Sequence, residues 1–175
     1  MKLGITDNFC YLKHKVKKRI LFHILRSRFN IKFPHRVSHD QFKTLNWDFV
    51  DKIKSDVSNF NVKSLAYCIG SIDLKPLNRV TESDMNQCMK LNLYSAIEAI
   101  KGFQDDLKKN NGSVVLFSSV AAQKGFTNHT IIASAKAAIE GLTVALAAEL
   151  APNIRVNCIA PSLTDSKISQ SMLKS

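Results

Sequence analysis

The chain has 175 residues, 45% of them hydrophobic and 22% charged, which suits one globular domain with a sizeable core. Its net charge of +11 is lopsided: residues 1–37 hold ten of the 25 lysines and arginines but only one of the 14 acids, so the basic pI describes the N-terminus and says little about the rest. The four cysteines (Cys10, Cys68, Cys88 and Cys158) show neither CxxC spacing nor paired histidines, which argues against a zinc module or a disulfide framework and fits a reducing cytoplasm.

In chain order, residues 1–37 form a basic, atypical segment. Val16, Ile20, Leu21, Ile24 and Leu25 fall at helical spacing and predict a short basic amphipathic helix. Such a segment reads either as a poorly specified tail or as an arm for a membrane surface or nucleic acid. No aromatic platform or recognised module supports nucleic acid. The apolar pieces Phe9–Leu12 and Ile20–Leu25 are too short and too interleaved with lysine for a signal peptide. No run of 18 apolar residues predicts a transmembrane segment.

Residues 38–175 read as a second, regular unit. A strand is expected to end near Val37, and Trp47–Val57 predicts a short helix. Ser64–Cys68 predicts a buried strand running into Gly70. Thr81 followed by Asp84 predicts a helix cap, opening a helix over 82–109 with apolar Met85, Cys88, Met89, Leu93, Ala96, Ile97 and Ile100 at helical spacing. Asn110-Asn111-Gly112 stops it. Ser113–Phe117 predicts a strand covered on both faces, Ile131–Leu150 a second long helix, and Ile154–Ala160 a third strand before Pro161. Strands alternating with helices of this length imply a parallel sheet, half of a doubly wound α/β fold. Ligands in such folds sit beyond the carboxyl ends of the strands. Those ends are Cys68–Gly70, Ser118–Ser119 and Ala160–Thr164, with Asn92 and the start of the second helix facing the same crevice.

Four short motifs carry a resemblance. Leu91-Asn92-Leu93, Ser118-Ser119-Val120-Ala121, Ser134-Ala135-Lys136-Ala137-Ala138 and Asn157-Cys158-Ile159-Ala160-Pro161 with Thr164 occur in the order and at the spacings of the short-chain dehydrogenase/reductase family. The resemblance covers about four fifths of the chain. It implies a Rossmann-like doubly wound sheet, NAD or NADP as cofactor, a small-molecule substrate, and hydride transfer to or from a carbonyl or alcohol carbon. It also implies that Ser119 orients the substrate oxygen, Lys136 grips the nicotinamide ribose and Asn92 belongs to the proton relay. Ser118 is the alternative serine. Asp40 would contact adenine, and Gly70, Pro161 and Thr164 would line the cofactor.

Two departures qualify this. The family's proton-transferring tyrosine belongs four residues before Lys136, where this chain has Ile132, which cannot titrate. His129 is the nearby titratable substitute. Pro161-Ser162-Leu163-Thr164-Asp165 is similar to the loop of a divergent branch that also lacks the tyrosine. The glycine-rich turn that lets backbone approach a pyrophosphate is missing as well, since Gly4 is the only glycine before Gly70. An N-terminally incomplete fold, a truncated gene and an exposed sheet edge are expected. The functional expectation is thus an oxidoreductase by descent with impaired activity. The alternative is a non-catalytic relative that acts as a homo-oligomer through the helices at 82–109 and 131–150.

Overall fold

The computed structural model describes residues 9–12 and 61–164. The amphipathic helix expected around residues 16–25, the strand near Val37, Asp40, the helix at 47–57 and Asp165 lie outside the described residues. Four parallel strands form the sheet: β1 (Phe9–Leu12), β2 (Ser64–Tyr67), β3 (Ser113–Phe117) and β4 (Arg155–Pro161), in the order β1-β4-β3-β2. The strand–helix–strand–helix–strand reading of residues 64–161 holds. β1 had no strand signal of its own: four residues between polar and basic neighbours show no usable period. It gains its partner from β4, with Phe9 opposite Cys158 and Leu12 opposite Pro161. Among the described residues, β2 pairs only with β3.

The first helical stretch is not continuous. It comprises α1 (Glu82–Met89), a π turn (Lys90–Tyr94) and α2 (Ser95–Lys109). Its start is the expected capping box: Thr81 Oγ1 accepts from Asp84 N at 3.2 Å, and Asp84 Oδ2 accepts from Thr81 N at 3.0 Å. Its end is a left-handed cap, where Asn111 takes φ 48° and Gly112 N donates to Leu107 O at 2.8 Å. A Cβ on Gly112 would lie 2.8 Å from the Lys63 carbonyl, so only glycine lets the chain turn tightly into β3.

The second helix, α3, spans Thr130–Glu149. It is apolar and long enough to cross a membrane by length and composition. It carries Lys136 and Glu140, and it buries Ile131, Ile132, Ala135, Ile139 and Thr143 on the side facing the fold while most of its length stays accessible. Helices α2 and α3 cover one face of the sheet. Ile100, Phe103 and Leu107 of α2 and Ile139 of α3 meet Val114, Leu116, Val156 and Cys158. Each fully buried Leu or Ile there contributes about 1.5–3 kcal/mol by leaving water. On the opposite face Arg155 and Asn157 are exposed and Val115 and Phe117 half-buried. The described residues therefore cover β3 on one side, not on both as its apolar run implies.

Candidate active site

The crevice lies beyond the carboxyl ends of β2, β3 and β4. Chain direction alone brings Cys68–Gly70, Ser118–Ser119 and Pro161–Thr164 to this edge. Gly70 forms its floor. A Cβ there would lie 2.6 Å from Asn92 Oδ1 and 3.3 Å from Lys136 Nζ, so both polar atoms converge on the space that glycine leaves free.

Asn92 sits in the π turn and is 1% exposed. Its Nδ2 donates to Cys88 O at 3.0 Å and reaches Cys88 Sγ at 3.4 Å. Its Oδ1 is buried and has no hydrogen-bond partner among the described residues. Buried polar atoms are nearly always satisfied, so an orphan acceptor facing a lysine marks a place where a donor belongs. The π turn explains its orientation. Ser95 N reaches back to Lys90 O rather than Leu91 O, and the backbone widens where Asn92 turns inward.

Lys136 rises from α3 and donates to Phe117 O, the last carbonyl of β3, at 2.9 Å. The residue is half-buried overall, yet its ammonium end is desolvated. Burial lowers its pKa below the ordinary lysine range, and the neighbouring thiols of Cys88, Cys158 and Cys68 offset this only in part.

The two serines separate cleanly. Ser118 is buried, with its Oγ 2.8 Å from Glu140 Oε1 and 3.1 Å from the Lys136 carbonyl. It ties β3 to α3. Ser119 Oγ accepts from Ala121 N at 3.2 Å and so caps the 3-10 turn Val120–Ala122, leaving its proton to donate. Sequence reading missed Glu140, whose second oxygen accepts from Gln123 Nε2 at 3.0 Å. Its position one turn after Lys136 was the available signal.

Other expected residues fall around this centre. Pro161 closes β4, and Thr164 Oγ1 donates to the Ser162 carbonyl at 2.9 Å. Ile132 is 3% exposed, in an apolar cluster with Cys88, Ile131 and Ala135 that Val80, Met85 and Met89 extend. His129 sets Nδ1 2.7 Å from the Thr127 carbonyl and its ring against Phe126. Among the described residues no group of three or more His, Cys, Asp or Glu is placed to hold a metal.

Residues 46–175 match the family described as enoyl-(acyl carrier protein) reductase. The chain belongs to the short-chain dehydrogenase/reductase family. Pig dehydrogenase/reductase SDR family member 4 is 39% identical over 92 residues, 51% of this chain and 33% of that protein. The 3-oxoacyl-(acyl-carrier-protein) reductase FabG of Chlamydia trachomatis serovar D is 27% identical over 150 residues, 78% of this chain and 60% of the relative. The chain thus spans between a third and three fifths of these two curated relatives. Among solved structures, one titled a short chain dehydrogenase/reductase family protein superposes with a TM-score of 0.69 at 23% identity, covering 74% of this chain and 55% of that one. ElxO with NADP bound superposes at 0.67 with 22% identity, covering 95% and 67%. These likenesses establish a Rossmann-like fold for this short-chain dehydrogenase/reductase.

Proposed function

We propose that this short-chain dehydrogenase/reductase is by descent an NAD(P)-dependent oxidoreductase acting on a carbonyl or alcohol carbon, with turnover impaired in this chain. The observation that carries the reading is the unpartnered Asn92 Oδ1 beside Lys136 Nζ over Gly70. An acceptor and a desolvated cation facing one opening fit the ribose end of a dinucleotide. Lys136, Gly70, Pro161 and Thr164 would hold that end, and Asp40 would meet the adenine. When bound, the nicotinamide supplies or accepts the hydride.

The protein's own part is positioning and proton handling. Lys136 would hold the ribose hydroxyls. Ser119 keeps a proton with which to orient the substrate oxygen. Asn92 Oδ1 would accept from a relay water. Ile132 can transfer nothing, and a positioned general acid is worth roughly 10²–10⁴ in rate. Weak reduction through Ser119, Lys136 or water is therefore the expectation. The cysteine pattern supports a cytoplasmic setting.

Titration with NADH and NADPH, followed through the single tryptophan, Trp47, tests the reading. Saturable quenching in the micromolar range is expected, and no binding by fluorescence or calorimetry overturns it.

One observation favours the assembly reading beside it. α3 leaves Ala137, Gly141, Val144, Ala145 and Ala148 exposed, a smooth apolar face on which a second copy would pack closely. Val144→Glu is expected to dissociate a homo-oligomer in sedimentation, and a monomeric wild type rejects the reading.

A further inference from the structure

The π turn has a partner in the neighbouring strand. Tyr67, the last residue of β2, is buried, and its Oη donates to Leu91 O at 2.8 Å. Leu91 O is the carbonyl that an α-helical Ser95 N would occupy. Here Ser95 N goes to Lys90 O, and Ser95 Oγ donates to the same carbonyl at 2.7 Å. Burial raises the Tyr67 pKa above the ordinary range, so the phenol stays a donor.

The two features fit each other. With a straight α-helix, Leu91 O would accept from Ser95 N and the Tyr67 hydroxyl would share it as a second donor. In the π turn Ser95 N goes to Lys90 O, and Tyr67 Oη takes the place at Leu91 O that an α-helical amide would fill. Removing the hydroxyl takes that donor away from Leu91 O and costs a hydrogen bond. The turn in turn sets Asn92. Cys88, Asn92, Ala96 and Ile100 are all buried at successive four-residue steps. At 3.6 residues per turn, each such step drifts about 40° round the helix. A wider turn takes up part of that drift and keeps Asn92 on the buried side, facing Gly70.

We infer that Tyr67 is a positioning residue: its hydroxyl holds the π turn open and thereby aims the Asn92 carbonyl at Gly70 and Lys136. The functional meaning of that aim rests on the oxidoreductase reading; the conformational claim does not.

The test is Tyr67→Phe in the full chain, isotope-labelled and free of ligand. Ile139→Val serves as control, trimming the same core without touching this hydrogen bond. The Asn92 side-chain amide resonances are expected to move in Tyr67→Phe and stay in Ile139→Val. Exchange of the Ser95 amide is expected to speed up about five- to tenfold, the worth of one buried hydrogen bond. Ser95→Ala, which loosens the same turn from its other side, is expected to move the same resonances, and keeps the claim testable should Tyr67→Phe fold poorly. Unmoved Asn92 resonances in a folded Tyr67→Phe, or in Ser95→Ala, overturn the inference, as does an equal shift in Ile139→Val. NADPH titration of the same proteins separates the claims. If wild type binds, Tyr67→Phe should bind more weakly than Ile139→Val, and equal affinity counts against the aim having a function. If wild type does not bind, the oxidoreductase reading fails while the resonances still decide the role of Tyr67.

Discussion

Gly70→Ala adds one methyl group at the floor of the crevice. That methyl would lie 2.6 Å from Asn92 Oδ1, well inside contact distance, and 3.3 Å from Lys136 Nζ. The lysine tip can move, but the asparagine is pinned: it is 1% exposed, and its Nδ2 is bonded to the Cys88 carbonyl at 3.0 Å. Relief requires either giving up that bond, worth about 1 kcal/mol, or displacing the end of β2. Overpacking of this kind costs about 1–3 kcal/mol. For a domain of this size each kcal/mol shifts the melting temperature by about 2–4 °C, so Gly70→Ala is expected to melt about 2–12 °C lower and to bind NADPH more weakly. Gly141→Ala is the control, because a Cβ there meets nothing within 4 Å. A helical Gly→Ala should stabilise by up to about 1 kcal/mol. Thermal melts followed by circular dichroism give both values. A Gly70→Ala protein that melts with or above wild type would refute the reasoning, because it would mean that Asn92 and Gly70 are not packed together.

Ile132→Tyr is expected to cost about 1–3 kcal/mol by crowding the cluster of Cys88, Ile131 and Ala135, while raising kcat/KM for carbonyl reduction by roughly 10²–10⁴. NADPH consumption with a panel of aldehydes and ketones checks it, and a variant that binds cofactor without gain counts against the proposed descent. Glu140→Ala removes one acceptor of Ser118 and one of Gln123 and is expected to lower stability by about 1–3 kcal/mol in denaturant titration. Glu140→Gln should recover more than half of that, because Gln123 can turn its amide to match; a neutral Glu140→Ala would dismiss the clamp. Asp84 accepts from Lys75 and from Thr81, and these bonds lower its pKa from 3.8 to about 2. Its folded value lies below its unfolded one, so its contribution is present above pH 4 and fades as pH falls towards 2. In Asp84→Asn the stability profile should be flatter across that window, and identical acid slopes would show that the cap does not titrate as described.

The elements that proved legible are those whose signals are local. The Thr81–Asp84 cap and the Asn110-Asn111-Gly112 stop depend on neighbours within a few residues, and a run rich in Ala and Leu that ends before Pro152 locates α3 without help. The position of Asn92 beside Gly70 and Lys136 followed from strand direction and the family resemblance together. What escaped depends on distant partners. The π turn answers to Tyr67, 24 residues earlier, and leaves no local mark except a run of four-residue steps. β1 is a strand only because β4 lies beside it. Glu140 gave no signal of its own because its partners, Ser118 and Gln123, are 22 and 17 residues away.

The orphaned carbonyl of Asn92 also has a meaning for anyone who would engineer this fold. A buried acceptor without a donor is a standing destabilisation, and an apolar residue of the same shape would remove it. Asn92→Leu is therefore the substitution that a screen for heat resistance alone should favour early, ahead of surface changes worth tenths of a kcal/mol. Such a screen would harden the protein and, in the same step, delete the atom on which its proposed chemistry turns.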